Sequence, residues 1–257
     1  MAKTRLNHII RFFKNYLYPT RILRRFAPQL ASLTEFHPIL LGNAIATLRH
    51  QRQLKSAPIF AVPEGALFTT NWFGDAMWVH YFTSIKAEVK NYLEVGSFEG
   101  RSALFAASLF PKCRLTCVDT FAGGSEHNEG QISGLEARFL KNIEPIKSRV
   151  RVLKGASQAQ LAAIAESEES AFDFILIDGS HYYRHVLVDT LISWPMLKVG
   201  GIMVWDDYLW CHSPYKGRNP KAAIDQFLQI YRADYEIIFA STRVAIRKTA
   251  AEDRYLR

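Results

Sequence analysis

From about residue 90 onward, short apolar runs alternate with longer stretches in which apolar residues recur at helical spacing. The short runs predict strands at 92–95, 115–118, 150–153, 172–177 and 201–205, each followed by a helix-length segment. Repeated strand–helix units of this size predict a parallel sheet with right-handed crossovers and helices on both faces. The end of the chain breaks the rhythm. Residues 235–240 and 243–247 are both strand-like, and only Ser241 and Thr242 separate them, so an antiparallel hairpin closes a seven-stranded, mostly parallel, doubly wound α/β sheet. Upstream, Leu6, Ile9, Ile10, Phe13 and Leu17 mark one face of a helix, with Arg11, Lys14 and Asn15 opposite and Pro19 at its end. A short basic stretch at 20–26 stops before Pro28. A third helical run at 38–53 leads into a Pro-marked linker at 57–63, and an aromatic-rich helical segment holds Trp72, Phe73, Trp78, Tyr81 and Phe82.

Composition narrows the class without changing that picture. With 257 residues, 49% of them hydrophobic and 22% charged, the chain matches an ordinary globular protein rather than a disordered or fibrous one. No apolar run is long enough to span a bilayer, and Arg11 and Lys14 interrupt the segment a signal peptide would need. Three cysteines, Cys113, Cys117 and Cys211, without paired spacing give neither a disulfide framework nor a zinc site, which fits a reducing cytoplasm.

The net charge of +8 is uneven. Residues 1–60 carry ten Lys or Arg against Glu35 alone, while the remainder is close to neutral. The expected organisation is therefore a basic helical extension, residues 1–69, on a neutral body, residues 70–257. The extension either rests peripherally on an anionic membrane or packs on the body through Leu6, Ile10 and Phe13 beside Trp72 and Trp78; packing is the favoured reading. A neutral body argues against nucleic acid as a partner, and homo-oligomerisation stays open.

The chemistry-bearing residues gather where strands end. Residues 92–102, Tyr-Leu-Glu-Val-Gly-Ser-Phe-Glu-Gly-Arg-Ser, read as a strand, a tight turn and a helix start. Gly96 allows the sharp turn, and Gly100 is expected to let a ligand approach the helix N-terminus. This is not the dinucleotide GxGxxG, which would require glycine where Phe98 stands. An acid within the strand, Glu94, suits a ligand with a positive end.

The Glu94-x-Gly96-x-x-x-Gly100 turn resembles motif I of class I S-adenosylmethionine-dependent methyltransferases, and the terminal hairpin is similar to that fold's last two strands. Asp119 closes the second strand, where the family places an acid for the ribose hydroxyls. Gly155-Ala156-Ser157-Gln158 resembles the segment that lines the adenine in the catechol O-methyltransferase group. Asp178-Gly179-Ser180-His181 and Asp206-Asp207-Tyr208 end the fourth and fifth strands, and the phrases LEVGSFEGRS and IDGSH resemble the macrocin type of sugar O-methyltransferase. The resemblance covers residues 70–248. It implies S-adenosylmethionine as cofactor, bound by Glu94, Gly96, Ser97, Phe98, Gly100, Ser102, Asp119, Ala156, Ser157, Gln158 and Asp178, and a small-molecule acceptor. Amides of residues 97–100 are expected to hold the methionine carboxylate and Asp119 the ribose; the alternatives are that Asp119 caps a helix or turn and that Ser157 caps the helix that follows.

Asp178 and Asp206 end strands expected to be neighbours, and with Asp207 they form an oxygen cluster suited to Mg²⁺. Such a metal would lower the pKa of an acceptor hydroxyl, as the resemblance implies; the alternative is that these carboxylates only cap helices or touch the cofactor. Two adjacent acids depart from the catechol type, which has an amide in place of Asp207, and favour a sugar or other polyol. His181 is the candidate general base, with Asp178 beside it, and an orienting role for His181 is the alternative. His127 and His212 fall in the loops expected to cover the acceptor, at 121–131 and 208–220. Two other classes compete: a nicotinamide oxidoreductase on a similar sheet, against which the missing GxGxxG counts, and a non-catalytic membrane-surface or interaction module with a methyltransferase-like body.

Overall fold

The computed structural model describes residues 36–51, 62–70, 72, 89–211 and 215–250. The helices expected at 5–17 and 20–26, most of the aromatic-rich segment and His212 lie outside them.

Seven strands form one sheet: β1 (Asn91–Val95), β2 (Arg114–Asp119), β3 (Val150–Lys154), β4 (Phe172–Ile177), β5 (Leu197–Trp205), β6 (Tyr235–Ala240) and β7 (Val244–Lys248). Their order is β3-β2-β1-β4-β5-β7-β6. The first five are parallel, and β7 runs antiparallel to both β5 and β6. Among the described residues seven α-helices accompany them: α1 (Pro38–Gln51), α2 (Arg101–Leu109), α3 (Glu129–Ile132), α4 (Leu135–Asn142), α5 (Ser157–Ala165), α6 (Tyr183–Met196) and α7 (Pro220–Ile230).

Side chains alternate between the two faces of each strand, so the sheet divides the core in two. On one face Leu93, Val95, Ile175, Ile177, Met203 and Trp205 pack with residues of α1, α5, α6 and α7. On the other, Tyr92, Leu115, Cys117, Phe174, Leu176 and Val204 pack with α2 and α4. Both Cys113 and Cys117 are buried as small apolar residues, and Trp205 is fully buried with its indole N–H donated to Thr190 (2.8 Å). Burying a large apolar side chain contributes about 1.5–3 kcal/mol, which makes Phe227, with Trp194 and Trp205 each in ring contact with it, a principal support of the first face. Lys248 is buried beside them. Its ammonium donates to the carbonyls of Trp194 (2.9 Å) and Leu197 (3.0 Å) at the end of α6, where the helix dipole favours a cation.

Helix α1 packs against β6, and the Thr47 hydroxyl accepts from the Ala240 N–H (3.4 Å). Residues 62–70 are also fixed to the body: Asn142 exchanges hydrogen bonds with the backbone of Leu67 (2.6 and 2.9 Å). No described helix is long and apolar enough to cross a membrane.

Strand order reverses between β1 and β4, which opens a crevice beyond their carboxyl ends. The ladder extends one residue past the strands on this side. Gly96 donates to Val118 (2.8 Å), Asp178 to Val95 (2.8 Å), Asp206 to Ile177 (3.1 Å) and Gly155 to the Asp119 carbonyl (2.9 Å), so the residues that follow each strand leave at one edge.

Candidate functional site

The turn after β1 is built by close backbone contact. Gly96 has φ +91°, and a Cβ there would stand 2.1 Å from the Asp178 carbonyl oxygen. Only glycine lets the ends of β1 and β4 pass at this distance. Gly100 (φ +79°) differs from expectation: a Cβ there would meet Ile143 at 3.0 Å and Phe139 at 3.1 Å, so the space it leaves open is filled by the protein rather than reserved for a ligand.

Phe98 adopts φ +45° and Phe121 φ +53°, both in a left-handed region that bulky residues rarely occupy. Asp119 holds both. Its Oδ2 accepts the Phe98 N–H (2.7 Å) and its Oδ1 accepts the Phe121 N–H (2.6 Å). Strain of about 1–3 kcal/mol per such residue is of the same order as a hydrogen bond to a charged group, about 1.5–3 kcal/mol. Asp119 is thus first a clamp on two turns, while each oxygen keeps a second lone pair for a ligand hydroxyl. Of the amides expected to hold a carboxylate, Phe98 N–H goes to Asp119 and Gly100 N–H to the Ser97 carbonyl (2.7 Å). Above the turn, the rings of Phe98, Trp72 and His127 form a mutual cluster (Phe98–Trp72 5.4 Å, Phe98–His127 4.9 Å, Trp72–His127 5.6 Å), and Trp72 is exposed.

Glu94 is fully buried, its carboxylate accepting from the Tyr92 hydroxyl (3.0 Å). Burial pushes its pKa up, against hydrogen bonds from Ser97, Ser102, Tyr92 and Cys117. Ser97 and Ser102 are buried around it, so these three hold the turn from within. Next to them, buried Glu99 accepts from the Thr69 N–H and hydroxyl (both 2.8 Å) and pairs with Arg138 (2.7 Å). Arg138 also donates to the carbonyls of Gln131 and Ser133, which ties the 121–131 loop to the same anchor.

The segment after β3 departs from expectation. Ala156 precedes α5 without a side-chain cap, and Ser157, the first helical residue, does not cap it. Both Ser157 (2.8 Å) and Gln158 (2.6 Å) donate to Oδ1 of Asp189, a fully buried carboxylate on α6. Their side chains are engaged inside the protein, where an unpartnered buried carboxylate would be costly. Asp189 is a partner of this segment that the sequence reading missed; a lone Asp in an otherwise apolar helix pattern was the available signal.

At the ends of β4 and β5 the expected aspartates stand side by side, one step beyond the paired residues Ile177 and Trp205. Burial, then the charges of Asp206 and Asp207, push Asp178 well above the usual carboxylate range. Burial also raises Asp206, opposed by Arg243, whose Nε lies 2.7 Å from Asp206 Oδ1. Asp207, at φ +53°, pairs with His181 Nε2 (2.8 Å), while His181 Nδ1 faces Glu126 (3.3 Å) and the imidazole lies 5.2 Å from the exposed Trp210 ring. Burial alone would lower the His181 pKa, but the Asp207 hydrogen bond and charge, with Glu126 and Asp206 behind, raise it overall.

Arg243 and Glu126 were not anticipated. Both come from distant loops, and only the hairpin's pairing with β5 offered a clue to Arg243. The expected metal centre is not formed by these side chains: among the described residues no three His, Cys, Asp or Glu converge to hold an ion. Asp206 is turned to Arg243 and Asp207 to His181, which is the physical reason.

Residues 93–208 match the family described as "Methyltransferase domain". Among curated proteins, the chain is similar to Tapetum-specific methyltransferase 1 of Arabidopsis thaliana, 26% identical over 122 residues, which cover 47% of this chain and 48% of that one. It is also similar to the uncharacterized protein R132 of Acanthamoeba polyphaga mimivirus, 25% identical over 148 residues, 54% of this chain and 63% of that one. The chain thus spans about half to two thirds of the length of these relatives. Among solved structures, MycE methyltransferase of the mycinamycin biosynthetic pathway, in complex with Mg, SAH and mycinamycin VI, superposes with TM-score 0.51 at 18% identity, over 73% of this chain and 52% of that one. A candidate caffeoyl-CoA O-methyltransferase from Staphylococcus aureus gives TM-score 0.51 at 19% identity, over 82% of this chain and 100% of that one. The sheet order and the closing hairpin are those of the class I methyltransferase fold.

Proposed function

We propose that this chain, whose residues 93–208 match the methyltransferase-domain family, transfers the methyl group of S-adenosylmethionine to a hydroxyl oxygen of a small molecule, a sugar, a polyol or a related natural product. The observation that carries the reading is the position of Asp119. Its carboxylate ends β2, one strand from the switch in strand order, and is clamped to the β1 turn, with Asp178 across β1 at the end of β4 and Asp206, Asp207 and His181 beyond it on the same edge. Asp119 would accept the ribose hydroxyls through its second lone pairs, and the β1 turn would receive the methionyl end. The segment after β3 would line the adenine with backbone and Ala156, because Ser157 and Gln158 are held by Asp189. The sulfonium, when bound, supplies an electrophilic methyl group.

The chain's own part is to bring an acceptor hydroxyl into line and take its proton. His181 is positioned for the second task, oriented by Asp207 and Glu126, with Asp178 as the neighbouring acceptor. As the oxygen–carbon bond forms, the carbon–sulfur bond breaks, and the hydroxyl proton passes to this group. Exposed Trp72, Trp210 and Tyr182 border the crevice and suit the face of a ring-shaped acceptor. Assistance by Mg²⁺, which the likeness to macrocin-type enzymes implies, does not fit the donor set in this arrangement, and no step is routed through it.

Calorimetric titration with S-adenosylhomocysteine tests the reading. Saturable one-to-one binding is expected; absence of binding by folded protein would refute it.

A further inference from the structure

Residue pairing places a basic side chain in the acid cluster. Trp205 pairs with Val244 in the antiparallel β5–β7 ladder, so the next positions, Asp206 and Arg243, face one another across it. Side chains opposed in such a ladder lie within contact distance. Arg243 meets Asp206 at 2.7 Å, both side chains are largely withdrawn from solvent (14% and 12% exposed), and the same Asp206 oxygen accepts the Asp207 N–H (2.9 Å). A divalent ion needs carboxylate lone pairs in a tight shell. Here the central carboxylate is already occupied by a guanidinium, which is planar and stays charged at every relevant pH.

We propose that Arg243 is the built-in cation of the Asp178–Asp206–Asp207 cluster, standing where a divalent metal would otherwise be held, so that the site works without one. Arg243 is a positioning residue in this account. It balances Asp206 directly, at 2.7 Å, and so places a positive charge against the repulsion of the three aspartates. The hairpin that closes the sheet thereby completes the acceptor side of the crevice, a role a purely structural pair of strands would not have. The proposal rests on the methyltransferase reading only for what the crevice binds.

The test is Mn²⁺ uptake, read by the loss of the free-ion electron paramagnetic resonance signal, with S-adenosylhomocysteine affinity measured on the same full-length samples. Wild type, with or without S-adenosylhomocysteine, is expected to take up no Mn²⁺ at millimolar concentration. Arg243→Gln should gain saturable uptake, about tenfold or more above wild type, because the carboxylates are released. Arg243→Lys should remain like wild type, and adding Asp206→Asn to Arg243→Gln should abolish the gain. Saturable Mn²⁺ uptake by wild type that Asp206→Asn removes would overturn the proposal, and this arm does not depend on any Arg243 variant folding. Absence of uptake in folded Arg243→Gln would also overturn it, since the cluster would then be no cation position at all. Failure of S-adenosylhomocysteine to bind wild type would instead sink the parent reading.

Discussion

Asp189→Asn should stabilise the protein at neutral pH, although it alters a fully buried, hydrogen-bonded residue. Burial raises the Asp189 carboxyl from its ordinary 3.8 to about 6, despite hydrogen bonds from Ser157 and Gln158. The folded state therefore holds the proton more tightly than the unfolded chain. The associated stability is present below about pH 4, is lost as pH rises to about 6, and stays lost above. At ~1.4 kcal/mol per tenfold change in proton affinity, the loss amounts to about 3 kcal/mol. Asparagine avoids it and fits the local geometry. Ser157 (2.8 Å) and Gln158 (2.6 Å) both donate to Oδ1, which the amide oxygen can replace, and the amide nitrogen would stand where Oδ2 lies 3.0 Å from the Ser157 hydroxyl oxygen. Allowing for imperfect replacement, the variant should gain about 1–3 kcal/mol at pH 8, or about 3–10 °C in Tm for a chain of this size. At pH 4 it should match wild type within about 1 kcal/mol. Thermal or urea unfolding of both proteins from pH 4 to pH 8 measures the difference, and the other titrating groups cancel in the comparison. A variant less stable than wild type at pH 8, or a stability difference that does not change with pH, would refute the reasoning.

Asp119→Asn should weaken S-adenosylhomocysteine binding by about 1.5–3 kcal/mol, roughly ten- to a hundredfold by calorimetry, as expected for hydrogen bonds to a charged group. Unchanged affinity in the folded variant would leave Asp119 as a turn clamp only. Gly96→Ala places a Cβ 2.1 Å from the Asp178 carbonyl oxygen and should yield little folded protein. By contrast, Gly42→Ala in α1, where a Cβ would meet nothing within 4 Å, should raise stability by about 0.5–1 kcal/mol; circular dichroism melts compare the two.

Much of the sheet is legible in the sequence because parallel strands covered on both faces read as nearly unbroken apolar runs. Thus β4 has the expected bounds, and β1, β2 and β3 differ by a residue at their ends. The start of β5 was not legible. Gly200 at φ +86° and exposed Val199 look like a turn, yet they form an irregular stretch over which Phe172 pairs with Leu197 while Phe174 pairs with Ile202. The last strand lies one residue later than expected, and the shift has consequences at both ends. Lys248 enters the sheet to close α6, and Arg243 leaves it to face Asp206.

In the site, the residues that end strands were legible and their partners were not, and the difference has a physical cause. A strand end is fixed by local pattern, so Asp119, Asp178, Asp206 and Asp207 could be assigned to one edge from sequence alone. Their partners are chosen by charge and burial across the fold: Arg243 for Asp206, Glu126 for His181, Asp189 for Ser157 and Gln158. No local periodicity encodes such pairs. The requirement for them is nevertheless general, since three carboxylates drawn together beside a low-dielectric core repel one another unless a cation is supplied. In a sheet that closes with an antiparallel hairpin, the residue across from the end of β5 is the nearest place from which the chain itself can supply that charge. Arg243 occupies that place, which is why the strand that looked least involved in chemistry bears on how the acids at the crevice are balanced.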